Sequence, residues 1–109
     1  MLNIPANVQE DIKYATRVLL QKFPQEINKI ILFGSYAKEN YQPDSDVDLA
    51  VVLNTLPEKK ERRKYTQALD LDLEREFDLL FCTKAQLDSG KMVYQSINET
   101  GVVLYEQLS

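Results

Sequence analysis

The chain has 109 residues and a net charge of −4, from 17 acidic and 13 basic side chains. Its composition, 44% apolar and 28% charged, is that of an ordinary soluble globular protein, and no apolar run is long enough to cross a bilayer. The acidic balance argues against binding long nucleic acid through its phosphates. The absence of histidine excludes histidine general bases, zinc sites that use histidine, and Ser–His triads.

Cysteine usage and length narrow the possibilities further. The single cysteine, Cys82, excludes an internal disulfide and a thiolate zinc cluster, and it indicates a reducing compartment such as the cytoplasm. The first residues lack a basic stretch followed by an apolar one, so we expect no signal peptide. We expect one domain over residues 1–109, because this length is typical of a single domain. Any catalysis must then rely on carboxylates, together with a hard cation.

The first half of the chain predicts a helix followed by two strands. Residues 7–23 carry apolar side chains at helical spacing, and Asn7 with Glu10 resembles a capping box. Residues 27–33 ("INKIILF") are rich in isoleucine and stop at a glycine, which predicts a strand. Residues 46–53 ("DVDLAVVL") are apolar on both faces beyond the aspartates, which is typical of a central strand.

The second half predicts two helices and two strands. A helix is expected from Pro57 to about residue 76, with Tyr65 and its apolar neighbours inward and Leu71 as a further inward candidate. Residues 77–83 ("FDLLFCT") predict a strand that buries Cys82. A helix follows at roughly 91–99, closed by Gly101, and residues 102–106 predict a last strand. This alternation favours an α/β or α+β fold with helices covering a sheet.

Three carboxylates begin apolar strands. Asp46 and Asp48 are two residues apart, so in a strand they share a face and stand about 7 Å apart. Asp78 enters the 77–83 strand in the same way. If that strand neighbours residues 46–53, the three acids converge, and their mutual repulsion calls for a divalent cation. Oxygen ligands favour Mg²⁺ or Mn²⁺.

A glycine and a serine follow the first predicted strand. Gly34 and Ser35 precede a probable helical turn, and such a junction points backbone N–H groups at an anion. A phosphate cradle beside a carboxylate-bound metal describes a nucleoside-triphosphate site. Each feature alone also has a structural explanation. Gly-Ser is usually a turn, the "PDSD" stretch is usually a solvated loop, and Asp78 could be a strand end in water.

The spacing of these residues resembles a known family. Gly34-Ser35, ten residues, then Asp46-Val47-Asp48 is similar to the GS-x10-DxD signature of the DNA polymerase β-like nucleotidyltransferases. In length the chain resembles the minimal nucleotidyltransferases (MNT), the antitoxin partners of HEPN-domain toxins. The resemblance implies a nucleotidyltransferase fold, with a mixed β-sheet of about four strands covered by helices.

The resemblance also implies roles for individual residues. Gly34, Ser35 and Lys38 would bind the triphosphate of the nucleotide. Asp46 and Asp48 would bind two Mg²⁺ or Mn²⁺ ions, and Asp78 would be the third catalytic acid, which binds one metal and helps to deprotonate the attacking hydroxyl. Many relatives have Arg-Gly after the Gly-Ser turn, whereas this chain has "GSYAKEN", in which Lys38 keeps the positive charge.

The expected activity is transfer of AMP from ATP to a tyrosine of a HEPN toxin. The chain would then form a hetero-oligomer with the toxin, or a homodimer on its own. Two alternatives remain open at this point. The chain could neutralise its partner by contact alone, or it could modify a small hydroxyl compound such as an aminoglycoside.

Two further features have competing explanations. The basic run "KKERRK" (59–64) is usually a solvated helix face, with a phosphate or partner contact as the alternative. Tyr36 and Tyr41 flank the predicted site and are candidates to contact the nucleotide base.

Overall fold

The computed structural model describes residues 3–108, apart from the side chain of Asp70. Its elements are α1 (Ala6–Lys22), β1 (Ile27–Phe33), α2 (Ser35–Lys38), β2 (Val47–Leu53), α3 (Lys59–Asp72), β3 (Phe77–Thr83), α4 (Lys84–Leu87), α5 (Met92–Thr100) and β4 (Val102–Glu106). The strands form a four-stranded sheet in the order β3-β2-β1-β4. β1 runs antiparallel to β2 and β4, and β2 runs parallel to β3. The predicted mixed sheet with helical cover is confirmed.

The central strand β2 is buried on both faces, as its sequence predicts, and the two faces pack against different helices. Its odd-numbered side chains, from Val47 to Leu53, join a core that contains the buried face of α1 and Leu69 of α3. Ala50 and Val52 on the other face join a second core with Leu87 of α4 and Ile97 of α5. By strand alternation Asp48 belongs to this second face, together with Ala50 and Val52.

Some helix boundaries differ from the predictions. The Asn7–Glu10 capping box is wrong, because α1 begins one residue earlier, with Pro5 as its N-cap and no side-chain cap. The carbonyl oxygen of Pro5 instead accepts the N–H groups of Val8 and Gln9. A proline just before the first turn suits a helix start, because its φ is already fixed and it has no N–H to satisfy.

The helix α3 is shorter at both ends than predicted. Glu58 is its N-cap, and the chain leaves helical geometry at Leu73, which has φ −123° and ψ 141°. Leu71 is 87% exposed, so its candidacy as an inward residue is wrong. Tyr65 does pack against the core, with its ring 4.3 Å from that of Phe23 in an edge-to-face arrangement.

The short helix α4 was not predicted. Thr83 Oγ1 accepts the Gln86 N–H and Gln86 Oε1 accepts the Thr83 N–H, which makes a reciprocal capping box. The buried Leu87 then fixes this turn to the second core. Within residues 3–108, no helix has the length and apolar character that would let it cross a membrane.

Candidate functional site

The predicted acidic residues meet at one end of the sheet. In the parallel register of β2 and β3, Asp48 pairs with Asp78, so the two carboxylates belong to neighbouring positions on one face. Asp46 lies two residues earlier, just before the first residue of β2. On the other side of β2, Phe33 at the end of β1 pairs with Asp48, and this brings the end of β1 to the same place.

The Asp48 carboxyl carries an uncompensated negative charge. Its pKa is raised from the ordinary 3.8 to about 6, first by desolvation through burial, then by the charges of Asp78 and Asp46. The ion pairs formed within residues 3–108 use Asp11, Glu10 and Glu106, and none of them involves these three acids. Among the described residues, therefore, no lysine or arginine forms an ion pair that would neutralise the clustered charge of these three acids.

Gly34 brings the Gly-Ser turn into direct contact with these acids. Its φ is +76°, which L side chains rarely adopt, and a Cβ at this position would collide with the Asp48 carboxylate. Gly34 is the N-cap of α2, so the first N–H groups of that helix, beginning at Ser35, have no intrahelical partners. Two sequence features ten residues apart are thus adjacent in space.

Lys38 and Glu39 follow the Gly-Ser turn at the positions where many relatives have arginine and glycine. Glu39 stands at the glycine position and has φ +60°, in the left-handed region that glycine adopts at low cost. Its side-chain Oε1 accepts the Asn3 N–H at 2.9 Å, which helps to hold the strained residue. The Asn40 N–H donates to Ser35 O at 3.0 Å and closes the turn. Lys38 is exposed at the end of α2.

The expectation that Tyr36 contacts a nucleotide base is wrong. Tyr36 is 1% exposed and belongs to the core, where its ring stacks on that of Tyr41 at 4.7 Å between centroids. Tyr36 occupies the first turn of α2, and its side chain anchors that turn to the core. Tyr41 is half-buried, and its hydroxyl donates to Asn3 O at 3.2 Å.

Arg75 is a residue that the sequence reasoning missed. It lies in the connection between α3 and β3, three residues before Asp78. Its Nε pairs with Asp11 Oδ2 of α1 at 3.3 Å, and its Nη1 donates to the Tyr36 hydroxyl at 3.3 Å. Arg75 thereby ties the start of β3 to both α1 and the Gly-Ser turn. The available signal was a lone arginine inside the acidic stretch "DLEREFD".

Arg75→Gln is expected to lower the free energy of unfolding by about 1–2 kcal/mol, because it removes a half-buried ion pair and leaves Asp11 without its cation. Tyr36→Phe removes only the hydrogen bond from Arg75 Nη1 to the Tyr36 hydroxyl and should lower the free energy of unfolding by less, about 1 kcal/mol. Urea unfolding of both variants measures these differences. Equal stability of Arg75→Gln and the wild type would show that this connection is held by other contacts.

A cleft of about 760 Å³ opens beside Asp46 and is lined mainly by acidic side chains, including Asp11, Asp44 and Glu76. No three His, Cys, Asp or Glu side chains among the described residues are placed to bind a metal ion together. The donor set nonetheless fits a hard cation in its chemistry, because Asp48 and Asp78 occupy partnered positions on adjacent strands and the nearby negative charges raise the Asp48 pKa. Mg²⁺ is commonly bound by one or two carboxylates plus substrate phosphates rather than by a complete protein cage.

The raised pKa of Asp48 predicts how stability depends on pH without metal. The folded state holds a proton up to about pH 6, whereas the unfolded chain releases it near 3.8, so the folded state binds more protons in between. The free energy of unfolding of the wild type should therefore fall as pH rises from about 4 to about 6. Asp48→Asn should remove that part of the slope. Urea titrations in EDTA across this range compare the two, and identical slopes would contradict an uncompensated charge at Asp48.

The fold and the site together define a class of protein. A mixed sheet in which a Gly-Ser turn contacts the second acid of a DxD pair, with a third acid on the adjacent strand, is the arrangement of a nucleotidyltransferase. The family profile described as "Polymerase beta, Nucleotidyltransferase" matches residues 15–108. The chain therefore belongs to the polymerase beta nucleotidyltransferase family.

Individual relatives agree with this assignment. A protein of Methanocaldococcus jannaschii that carries the provisional name protein adenylyltransferase is 33% identical over 87 residues, which are 80% of this chain and 69% of the relative. Another protein of that organism with the same provisional name is 42% identical over 53 residues, 48% of this chain and 36% of its own length.

Solved structures also resemble the chain. A toxin–antitoxin crystal structure with AMP-PNP contains a similar chain, with a TM-score of 0.68 and 26% identity, covering 87% of this chain and 73% of that one. A complex of a tri-AMPylated HEPN toxin of Shewanella oneidensis with its MNT antitoxin gives a TM-score of 0.65 at 24% identity, over 91% of this chain and 72% of that one. At this identity the second likeness concerns the fold alone.

Proposed function

We propose that this chain is a metal-dependent protein adenylyltransferase that transfers AMP from ATP to a tyrosine of a HEPN-domain toxin and so acts as its antitoxin. The observation that carries the proposal is the contact of Gly34 with Asp48, beside the paired Asp78. The provisional name of the Methanocaldococcus jannaschii relative, protein adenylyltransferase, supports the choice of a protein as the acceptor, and the similar chain in the toxin–antitoxin structure with AMP-PNP supports an adenine nucleotide.

Each residue has a distinct task in this proposal. The N–H groups after Gly34, the Ser35 hydroxyl and the Lys38 ammonium bind the triphosphate. Asp46 and Asp48 would hold the two Mg²⁺ ions, and Asp78 on the neighbouring strand would contribute to holding one of them. When bound, the ions neutralise the clustered carboxylates and stabilise charge on the attacking and leaving oxygens.

The reaction is an in-line displacement at the α-phosphorus of ATP. The tyrosine oxygen of the partner forms a bond to the α-phosphorus, and the bond from that phosphorus to the bridging oxygen breaks, so pyrophosphate leaves with its electron pair. Asp78 takes the phenolic proton, because it is exposed on β3 and faces the same end of the sheet as the nucleotide. The Gly34–Asp48 contact fixes the phosphate cradle against the acids, which is the positioning that such a transfer requires.

The proposal is tested by intact-mass spectrometry of a candidate HEPN-domain partner, after incubation with the chain, ATP and Mg²⁺. The partner should gain whole AMP units, and the gain should disappear in EDTA and when the modified tyrosine is changed to phenylalanine. A partner whose toxicity is neutralised with an unchanged mass would overturn the proposal and favour neutralisation by contact. Modification of a small hydroxyl compound in place of the partner would likewise reject the protein acceptor.

A further inference from the structure

The strand β3 lies at the edge of the sheet and has β2 as its partner on one side within residues 3–108. Against its free side lies a groove of about 610 Å³, which we call the β3 groove. Basic side chains of α3 form one wall and apolar residues of β3 form the other: Lys59, Arg62, Arg63, Leu79, Leu80 and Phe81.

The backbone of β3 offers free hydrogen-bonding groups to this groove. The Val47 N–H donates to Glu76 O, so the backbone groups of residue 76, and by strand alternation those of Asp78 and Leu80, point toward β2. The N–H and C=O groups of Leu79 and Phe81 therefore point outward, along the wall of the groove. Unpaired groups of this kind at an edge are a template for pairing with another extended chain.

The basic wall formed by α3 favours a negatively charged occupant. The segment 59–64 places five cations on α3, although the chain as a whole has a net charge of −4. Arg62 Nε is closed off from solvent and has no hydrogen-bond partner within the described residues. The Arg62 side chain also lines the groove, so an occupant with carboxylate oxygens would be favoured beside its guanidinium group. Glu61, the acidic residue of this segment, lines a different cavity, beside Tyr65.

These observations separate three kinds of occupant. A second copy of this chain, paired edge to edge across β3, would bring two α3 cation clusters together, and their repulsion opposes it. A nucleic acid would satisfy the cations but has no regular row of groups to pair with the Leu79 and Phe81 backbone. An extended acidic peptide satisfies both walls, with its backbone on β3 and its carboxylates on α3.

We propose that the β3 groove binds an extended acidic segment of another protein, added to the sheet as a strand beside β3. The surface is distinct from the proposed phosphate cradle, because its lining comes from α3 and from β3 beyond Asp78. The proposal therefore does not depend on adenylyl transfer, and an inactive chain is expected to bind equally well.

Fluorescence anisotropy tests the surface with a labelled peptide of alternating glutamate and valine, and with an alternating lysine and valine peptide as a control. The full chain should bind the acidic peptide, and Arg62→Glu with Arg63→Glu should weaken binding by roughly tenfold or more. The matched control is Lys13→Glu with Arg17→Glu, which reverses two exposed charges on α1 and should leave the affinity unchanged. Equal loss in both double variants, or binding of the lysine peptide, would overturn the proposal.

Hydrogen exchange provides a readout that general charge attraction would not change. On addition of the acidic peptide, the amides of Leu79 and Phe81 should exchange more slowly, while those of Asp78 and Leu80 are already protected by β2. Binding without slower exchange at Leu79 and Phe81 would reject strand addition. Tighter binding of a single-stranded oligonucleotide than of the peptide would reject a protein occupant. Dimerisation of the chain with slower exchange at Leu79 and Phe81 would assign the groove to a second copy and overturn the proposal.

Discussion

Asp46→Asn combined with Asp48→Asn is expected to lower the rate of AMP transfer by roughly a thousandfold or more, while the chain stays folded. Asparagine has nearly the same shape as aspartate but supplies no negative charge to hold a divalent cation. Preorganised electrostatic stabilisation of the transition state is usually the largest single contribution to catalysis, so its loss should lower the rate strongly.

The same double variant should be more stable than the wild type when metal is absent. Burial and the charges of Asp78 and Asp46 raise the pKa of Asp48 to about 6. Folding at neutral pH therefore carries an electrostatic cost, and removing the charges of Asp46 and Asp48 lowers that cost. Loss of activity together with higher stability in EDTA separates a role in chemistry from simple unfolding. The two readouts are the initial rate of transfer and urea unfolding.

A matched control comes from the acidic cleft itself. Asp44→Asn with Glu74→Gln removes two exposed carboxylates that line the cleft of Asp46 but begin neither strand. Transfer should stay within about threefold of the wild type, because these groups contribute only general charge at the cleft wall. Equal inactivation of the two double variants would show that overall acidity, and not the DxD pair, carries the activity.

Gly34→Ala is the second substitution with a large expected effect. The new Cβ would collide with the Asp48 carboxylate, and the φ of +76° disfavours any L side chain. The strained backbone, with φ 76° and ψ −150°, costs roughly 1–3 kcal/mol and the steric overlap a further 1–3 kcal/mol. We expect the free energy of unfolding to fall by roughly 2–6 kcal/mol, and transfer to fall at least about a hundredfold, because Asp48 must move from its place.

Gly90 provides an internal control for this substitution. It has a similar φ of +83°, but a Cβ built there meets nothing within 4 Å. Gly90→Ala should therefore cost only the backbone strain, roughly 1–2 kcal/mol, and leave transfer intact. In Gly34→Ala with Asp48→Ala, the overlap with the Asp48 carboxyl group is removed and the tighter contact with its Cβ remains, so part of the stability should return while activity stays absent. Equal costs at Gly34 and Gly90 would mean that the Gly34–Asp48 contact is not tight.

The sequence predicted the four strands because each is a short apolar run ended by glycine, proline or polar residues. The apolar character of both faces of β2 correctly placed it inside the sheet. The sequence predicts that Asp78 lies beside Asp48 only if their two strands are neighbours, because strand order depends on tertiary packing and no local pattern determines it. The structure shows that β2 and β3 are parallel neighbours, with Asp48 opposite Asp78.

The errors have different physical origins. Tyr36 looks like a surface residue next to a polar turn, yet its stacking on Tyr41 and its bond from Arg75 hold it in the core. Leu71 fits a helical apolar stripe, yet α3 ends one residue later and leaves it 87% exposed. The capping box at Thr83 was within reach of local reasoning, because threonine with glutamine three residues on is its usual signature.

The most direct test of nucleotidyl transfer follows the label of ATP itself. The chain is incubated with the HEPN-domain protein proposed as its partner and with Mg²⁺, once with ATP labelled at the α-phosphate and once with ATP labelled at the γ-phosphate. Attack at the α-phosphorus predicts that the partner acquires the α label and that the γ label leaves in pyrophosphate. The variant with Asp46→Asn and Asp48→Asn should transfer neither. Transfer of the γ label to the partner, or undiminished α labelling by that variant, would contradict the assignment of this site to adenylyl transfer.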